Sequence, residues 1–184
     1  SKFAKRIYIA FDNARTRLPS DKCHTVGNPI RSEIIALQDR TTNQDTTDQP
    51  FRVLVVGGSR GARSINNAVS NALQALEKSE VKFHIVHQTG VLDFETIKQR
   101  YANNSVSHEV TPFIDDMASA YAKADLIISR SGAGILEFAF AAKPAILVPY
   151  PYAADDHQYH NALSFEQAGA AALIRDAEFD SDRC

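Results

Sequence analysis

FRVLVVGGSRGARSINNAVSNALQAL, residues 51–76, decides the fold. Its first six residues form an apolar run with no in-out alternation, stopped by two glycines, which is the pattern of a strand buried on both faces. Beyond the glycines, Ile65, Val69, Leu73 and Leu76 recur at helical spacing, so the sequence predicts an amphipathic helix over residues 62–78. Strand, glycine turn and helix in that order make the first unit of a parallel α/β sheet.

Outward towards the C-terminus the unit repeats. VKFHIVHQTG (81–90) reads as a strand and VLDFETIKQRY (91–101) as a helix. SVSHEV (105–110) is a short strand, and DDMASAYAKA (115–124) a helix whose opening acids suit its N-terminus. DLIIS (125–129), SGAG (131–134) and ILEFAFAAK (135–143) give strand, turn and helix. PAILVPY (144–150), HQYHNALSFEQAG (157–169) and AAALI (170–174) give strand, helix and a last strand. Alternation of this kind, with strands that are apolar throughout, predicts a Rossmann-like, doubly wound parallel sheet. Ligands of such sheets bind beyond the carboxyl ends of the strands. The loops that matter are therefore GGSRGA, HQTG, TPFIDDM, SRSGAG and VPYPYAADDHQ.

Outward towards the N-terminus, residues 38–50 (QDRTTNQDTTDQP) carry no apolar side chain apart from the closing proline and are expected to form a solvated loop. They set off a leader, residues 1–37, from the body, residues 51–184. The leader opens with basic residues before Ile7, but its apolar stretch is too short for a signal peptide and is expected to be a strand. The chain has 184 residues, 44% hydrophobic, and a net charge of −2 from 20 basic and 22 acidic residues. That balance gives no basic face for nucleic acid. No apolar run reaches the roughly 18–20 residues of a membrane-spanning helix. Cys23 and Cys184 lie near opposite ends, without metal-type spacing, and suit a reducing cytosol.

Each loop has a chemical and a plain structural reading. In Gly57-Gly58-Ser59-Arg60-Gly61-Ala62, glycines let backbone approach a ligand, and the helix start offers free amides to a phosphate, with Ser59 adding a hydroxyl. The plain reading is a tight turn capped by Ser59. The loop is neither a dinucleotide fingerprint nor a Walker loop. In the second turn, Arg130 to Gly134 with Gly132 at its centre, Arg130 can face a diphosphate with its planar fork. Glu137 can accept from both hydroxyls of a ribose; the alternatives are a surface arginine and a glutamate placed by the helix dipole. After the strand at 144–150, His157, Gln158 and Asn161 suit sugar hydroxyls, which need groups that donate and accept. Asp155, Asp156 and His157 are not expected to converge on a metal, and His157 is chemically possible as a base. The backbone near Ile114 can pair with a base edge beside Phe113, while Asp115 and Asp116 read as helix caps. His87 and Gln88 are at most weak candidates for the cleft wall.

Taken together, the loops resemble the MurG family of glycosyltransferases. The matching segments are GNPIR (27–31), VLVVGGSRGARSIN (53–66), HQTG (87–90), FIDDMASAYAKADLIISRSGAG (113–134), Glu137, PAILVPY (144–150) and DDHQYHNALSFEQAGAA (155–171). The resemblance implies one half of a GT-B enzyme, with UDP-GlcNAc as donor and lipid I as acceptor, lipid II as product, inversion at the sugar, and no cofactor. It also implies peripheral attachment to the cytoplasmic side of the bacterial inner membrane. Ser59 would contact the diphosphate and the Ile114 backbone the uracil. Arg130 would lie near the phosphates and Arg31, at the hinge, near the donor. Gly132 would belong to the donor site, Glu137 would bind the ribose, and His157 and Gln158 the GlcNAc hydroxyls. No residue here is assigned as the acid–base catalyst. The family pattern R-S-G-A-x-T-x-x-E is one residue shorter in this chain, and its Thr has no counterpart. The leader reads as the tail of an acceptor domain and the hinge, so the chain is expected to be a fragment of a longer enzyme. Another GT-B enzyme such as a UDP-GlcNAc epimerase, and a non-catalytic nucleotide-binding module, are the alternative readings.

Overall fold

Val53, Leu54 and Val55 are 8%, 2% and 0% exposed. Successive strand side chains point to opposite faces, so this strand must be covered on both. The computed structural model describes residues 3–37, 49–58 and 61–184. In chain order the strands and α-helices are β1 (Ile7–Ile9), β2 (Cys23–Thr25), α1 (Ser32–Ile35), β3 (Phe51–Val56), α2 (Arg63–Glu77), β4 (Phe83–Gln88), α3 (Phe94–Ala102), β5 (Ser107–Thr111), α4 (Met117–Lys123), β6 (Leu126–Ser129), α5 (Ile135–Phe140), β7 (Ala145–Leu147), α6 (His157–Gln167) and β8 (Ala171–Leu173). Residues 38–48 of the expected polar loop, and Ser59 with Arg60, lie outside the described residues.

Strands β3 to β8 form one parallel sheet in the order β5-β4-β3-β6-β7-β8. Counted from β3, this is the 3-2-1-4-5-6 order of the Rossmann fold, whose topological switch lies between β3 and β6. The sheet separates two cores. Val53, Val55, Ile85 and Ile128 pack with Ile65, Val69 and Leu73 of α2, Ile97 and Tyr101 of α3, and Phe179 near the C-terminus. On the other face Leu54, Ile127 and Leu147 pack with Met117 and Tyr121 of α4, Ile135 and Phe138 of α5, and Ala162 and Phe165 of α6. The doubly wound α/β expectation holds.

The leader stands apart from this sheet. Its strands β1 and β2 pair with each other in parallel, and of β1 only Ile9 is buried. The leader meets the body along one side: Ile34 of α1 enters the second core, and Phe11, Ile30 and Leu37 pack against it.

Helix α5 ends sooner than its sequence suggests, at Phe140 rather than near residue 143. Ala142 takes a left-handed conformation (φ 54°). The Lys143 amide then reaches back to the Phe138 carbonyl and the Ala142 amide to that of Ala139. These two bonds make a Schellman closure, formed here without the glycine that usually occupies its left-handed position.

Candidate functional site

The strand registers place Thr111, Gln88, Val56, Ser129, Leu147 and Leu173 in one row across the sheet. All these residues end their strands, so the connecting loops leave from a single edge. Across the switch point, the turn after β3 and the turn after β6 become neighbours. The two glycine-rich segments, separated by seven decades of sequence, thus flank one crevice.

The first turn is shaped by sterics. Gly58 and Gly61 have φ of 77° and 78°, a region other residues enter only at a cost. A Cβ on Gly57 would fall 2.7 Å from the Ala62 nitrogen, and one on Gly61 would collide with the Thr89 carbonyl oxygen. The Gly61 amide donates to the Gly58 carbonyl at 3.0 Å, closing the turn. Helix α2 then begins, its first residues aimed at the crevice.

The second turn is held by side chains. Ser131 is fully buried and its hydroxyl donates to the Gln158 carbonyl at 2.8 Å. Asn161 donates from Nδ2 to the Ser131 carbonyl at 3.1 Å. Those two bonds fix the start of α6 against the turn after β6. A Cβ on Gly132 would meet only Gln158 Nε2, at 3.9 Å, and one on Gly134 would meet nothing within 4 Å.

Glu137, in the first turn of α5, receives a bidentate pair from Arg31, Nε to Oε1 at 2.8 Å and a second guanidinium nitrogen to Oε2 at 2.6 Å. Two expected site residues are therefore in contact with each other. The paired carboxylate raises the pKa of the Arg31 guanidinium further. Asn28, from the same leader segment, donates to the Ala133 carbonyl at 3.2 Å. The GNPIR stretch thus lies against the second turn.

His157 is exposed, and its Nδ1 is 2.7 Å from the Ala154 carbonyl. A carbonyl only accepts, so Nδ1 carries the proton and, in the neutral ring, Nε2 is left as an acceptor. Gln158 spends its Oε1 on the Tyr150 amide at 3.0 Å, which leaves the Nε2 donors for the side facing Gly132. Just before them, Asp155 and Asp156 both adopt left-handed backbone, with φ of 56° and 55°. Consecutive non-glycine residues in that region store strain of order 1–3 kcal/mol each, and such strain gathers at functional sites. His157 and Asn161 also line a hollow of about 300 Å³ with Ala133, Asn28 and the leader residues Ile9, Ala10, Phe11 and Ala14.

Three expectations change on contact with the geometry. Arg130 does not present its terminal nitrogens to the crevice. One binds the Val148 and Pro149 carbonyls, at 3.1 and 3.2 Å, and Asp176, and the other donates to Ser64 at 2.8 Å. Arg130 ties together the ends of β6 and β7, the start of α2 and the segment after β8. Asn161, grouped with the sugar-facing residues, is likewise committed to Ser131. His87 is not a cleft wall, because its side chain is fully buried. Ile114 packs partly into the second core, beside an exposed Phe113 whose carbonyl accepts from the Thr111 hydroxyl at 2.8 Å. Asp116 caps α4 as expected, accepting from the Ser119 amide and hydroxyl at 3.0 and 2.6 Å, and these bonds hold its carboxyl below the usual range. Among the described residues no group of His, Cys, Asp and Glu is arranged to hold a metal ion.

A parallel sheet with two glycine-rich turns at its switch point defines the class: a doubly wound α/β domain, whose ligands bind beyond the carboxyl ends of the strands. Residues 52–183 match the glycosyltransferase family 28 C-terminal domain, and the chain belongs to that family. It is 42% identical, over 99% of its own length and 47% of the relative's, to the UDP-N-acetylglucosamine--N-acetylmuramyl-(pentapeptide) pyrophosphoryl-undecaprenol N-acetylglucosamine transferase of Myxococcus xanthus. The crystal structure of Acinetobacter baumannii MurG superposes with a TM-score of 0.77 at 35% identity, over 98% of this chain and 50% of that one. A putative UDP-N-acetylglucosamine 2-epimerase from Listeria monocytogenes, at 14% identity and a TM-score of 0.66 over 98% of this chain and 49% of its own, shares the fold alone. The chain spans about half the length of the curated relatives it matches.

Proposed function

We propose that this chain is the donor-binding half of an inverting transferase. The reaction moves N-acetylglucosamine from UDP-GlcNAc to the 4-hydroxyl of the muramyl sugar of lipid I, giving lipid II for peptidoglycan. The observation that carries the reading is the crevice itself: two glycine turns side by side, in a chain 42% identical over 99% of its length to a relative of that printed name. The body, residues 51–184, takes the donor. The leader, residues 1–37, is the tail of the acceptor domain and the hinge.

In this reading the backbone of the first turn, with Ser59, receives the diphosphate at the start of α2. The dipole and free amides of that helix favour the charge that grows on the leaving UDP. Gly132 leaves room for the donor to approach, and Arg130, close to the phosphates, braces the crevice from its own contacts. The Ile114 backbone meets the uracil and Glu137 the ribose hydroxyls. Arg31 shares the Glu137 carboxylate and lies within reach of the donor. His157 Nε2 and Gln158 Nε2 take GlcNAc hydroxyls as acceptor and donor. Support for a membrane setting comes from the undecaprenyl acceptor in the relatives' names. In this reading attachment is peripheral, at the cytoplasmic face; among the described residues no helix is long and apolar enough to cross a bilayer.

Calorimetry with UDP, UDP-GlcNAc, an ADP-sugar and NAD tests the donor class. UDP and UDP-GlcNAc should bind most tightly, and equal or tighter binding of NAD overturns the reading. Glu137→Ala should weaken UDP binding by about tenfold or more, since charge-assisted bonds contribute about 1.5–3 kcal/mol each, while leaving pyrophosphate binding unchanged.

A further inference from the structure

Beneath the first turn runs a buried chain of hydrogen bonds that the proposed reaction does not use. His87 is 0% exposed, with Nδ1 2.9 Å from the Tyr101 hydroxyl and Nε2 3.0 Å from Asn66 Oδ1. Asn66, itself 1% exposed, places Nδ2 2.9 Å from the Thr89 carbonyl and 3.0 Å from Asp93 Oδ2. The orientation of this amide is fixed by its neighbours, because a flip would set its oxygen against two acceptors. Nε2 of His87 must then carry the proton, and Nδ1 of the neutral ring accepts from Tyr101. Burial keeps the ring neutral, its pKa pushed down to about 3. The donors all point one way, from Tyr101 through His87 and Asn66 to Thr89.

The end of that chain is where the first turn rests. Gly61 sits so close to the Thr89 carbonyl that it has no room for a Cβ. The Gly57 amide donates to the carbonyl of Gln88, one residue earlier, at 3.2 Å. Asp93, the second acceptor of Asn66, also pairs with Arg63, the first residue of α2, at 3.3 Å. The start of α2 is therefore clamped from below and from the side. An apolar filler would occupy the same volume, but only a fully satisfied polar chain dictates one height and one angle.

We propose that Tyr101, His87 and Asn66 are positioning residues for diphosphate binding: they fix the Thr89 carbonyl, and through it the Gly61 and Ala62 backbone that opens α2. None of the three touches the ligand. The inference rests on the reading that this turn receives a nucleotide diphosphate, and its specific claim is that the relay acts on the phosphate part of affinity and not on the nucleoside part.

The test compares UDP, titrated by calorimetry, with uridine, titrated by NMR, for wild type, Asn66→Leu, Tyr101→Phe and His87→Gln, with thermal midpoints measured alongside. Asn66→Leu should lose about tenfold in UDP affinity, the equivalent of one buried hydrogen bond, with uridine affinity within twofold of wild type. Tyr101→Phe should lose less in the same direction. His87→Gln, which keeps a donor for Asn66, should retain more UDP affinity than Asn66→Leu. If Asn66→Leu does not fold, Tyr101→Phe carries the test, because it removes a single hydroxyl. Lower thermal midpoints with an unchanged UDP-to-uridine ratio mean a merely structural network and overturn the proposal. Equal losses for both ligands overturn it as well. A wild-type chain that binds neither ligand brings down the nucleotide reading itself, and this inference with it.

Discussion

The two glycine turns that flank the crevice look alike as text and are built on opposite principles. After β3, glycine is required by the backbone: Gly58 and Gly61 are left-handed, and Gly57 and Gly61 face atoms that leave no space for a side chain. After β6, neither Gly132 nor Gly134 has positive φ, and both open onto nearly empty space. That turn takes its shape from Ser131 and Asn161. Glycine in the first turn lets the protein come close to itself; in the second it leaves room for something else.

The largest effect should follow Gly61→Ala. A left-handed alanine costs about 1–2 kcal/mol, and the collision with Thr89 adds to it, so urea unfolding should show a loss of about 3 kcal/mol or more. A loss under 1 kcal/mol would remove the contrast between the turns.

Next comes the pH dependence of the support under the first turn. The native His87 pKa of about 3 lies below its ordinary 6.5. Above pH 6.5 both folded and unfolded chains hold the ring neutral. Between 6.5 and 3 only the unfolded chain takes the proton, so stability falls as pH falls, by at most about 1.4 kcal/mol per unit. Unfolding free energies from urea titrations between pH 7 and pH 4 should drop more steeply for wild type than for His87→Gln, by about 3 kcal/mol in all. Parallel slopes would mean that the ring is protonated in the native state.

A smaller loss, about 1 kcal/mol, is expected for Ser131→Ala, which removes one buried hydroxyl from the second turn. The smallest change belongs to Gly134→Ala. Its backbone is already right-handed (φ −70°, ψ −9°), so stability should stay within about 0.5 kcal/mol of wild type. If Gly134→Ala destabilises as much as Gly61→Ala, the two turns share one logic after all.

The sheet was legible because its strands are apolar on both faces, and a parallel sheet covered by helices on both sides hides Val53, Leu54 and Val55 together. Helix and strand spacing carried the order of elements for the same reason. The early stop of α5 was not legible, because Ala142 holds a position where glycine is the usual signal; Pro144 alone hinted at it. Asn66 could have been found: it falls inside the buried stripe of α2, between Ile65 and Val69, and a polar residue in an apolar stripe asks for partners. Arg130 could not, because its acceptor Asp176 is 46 residues away and no local pattern links them. Glu137 and Arg31 were each singled out for a ligand, yet their pairing across 106 residues is a fact of the fold alone.

The central place of β3 has a further consequence, for how the chain is made. One edge of β3 pairs with β4 soon after it in sequence, but the other waits for β6, and the Arg52–Asp125 link that closes the junction spans 73 residues. At roughly 5–20 residues per second of synthesis, that wait is about 4–15 s. Over that interval the nascent chain carries an apolar strand with one unpaired edge, the kind of edge on which chains aggregate. The crevice lies at this same junction, so it cannot form before β6 arrives, and the side of it that holds His157 and Gln158 waits longer still, for the start of α6.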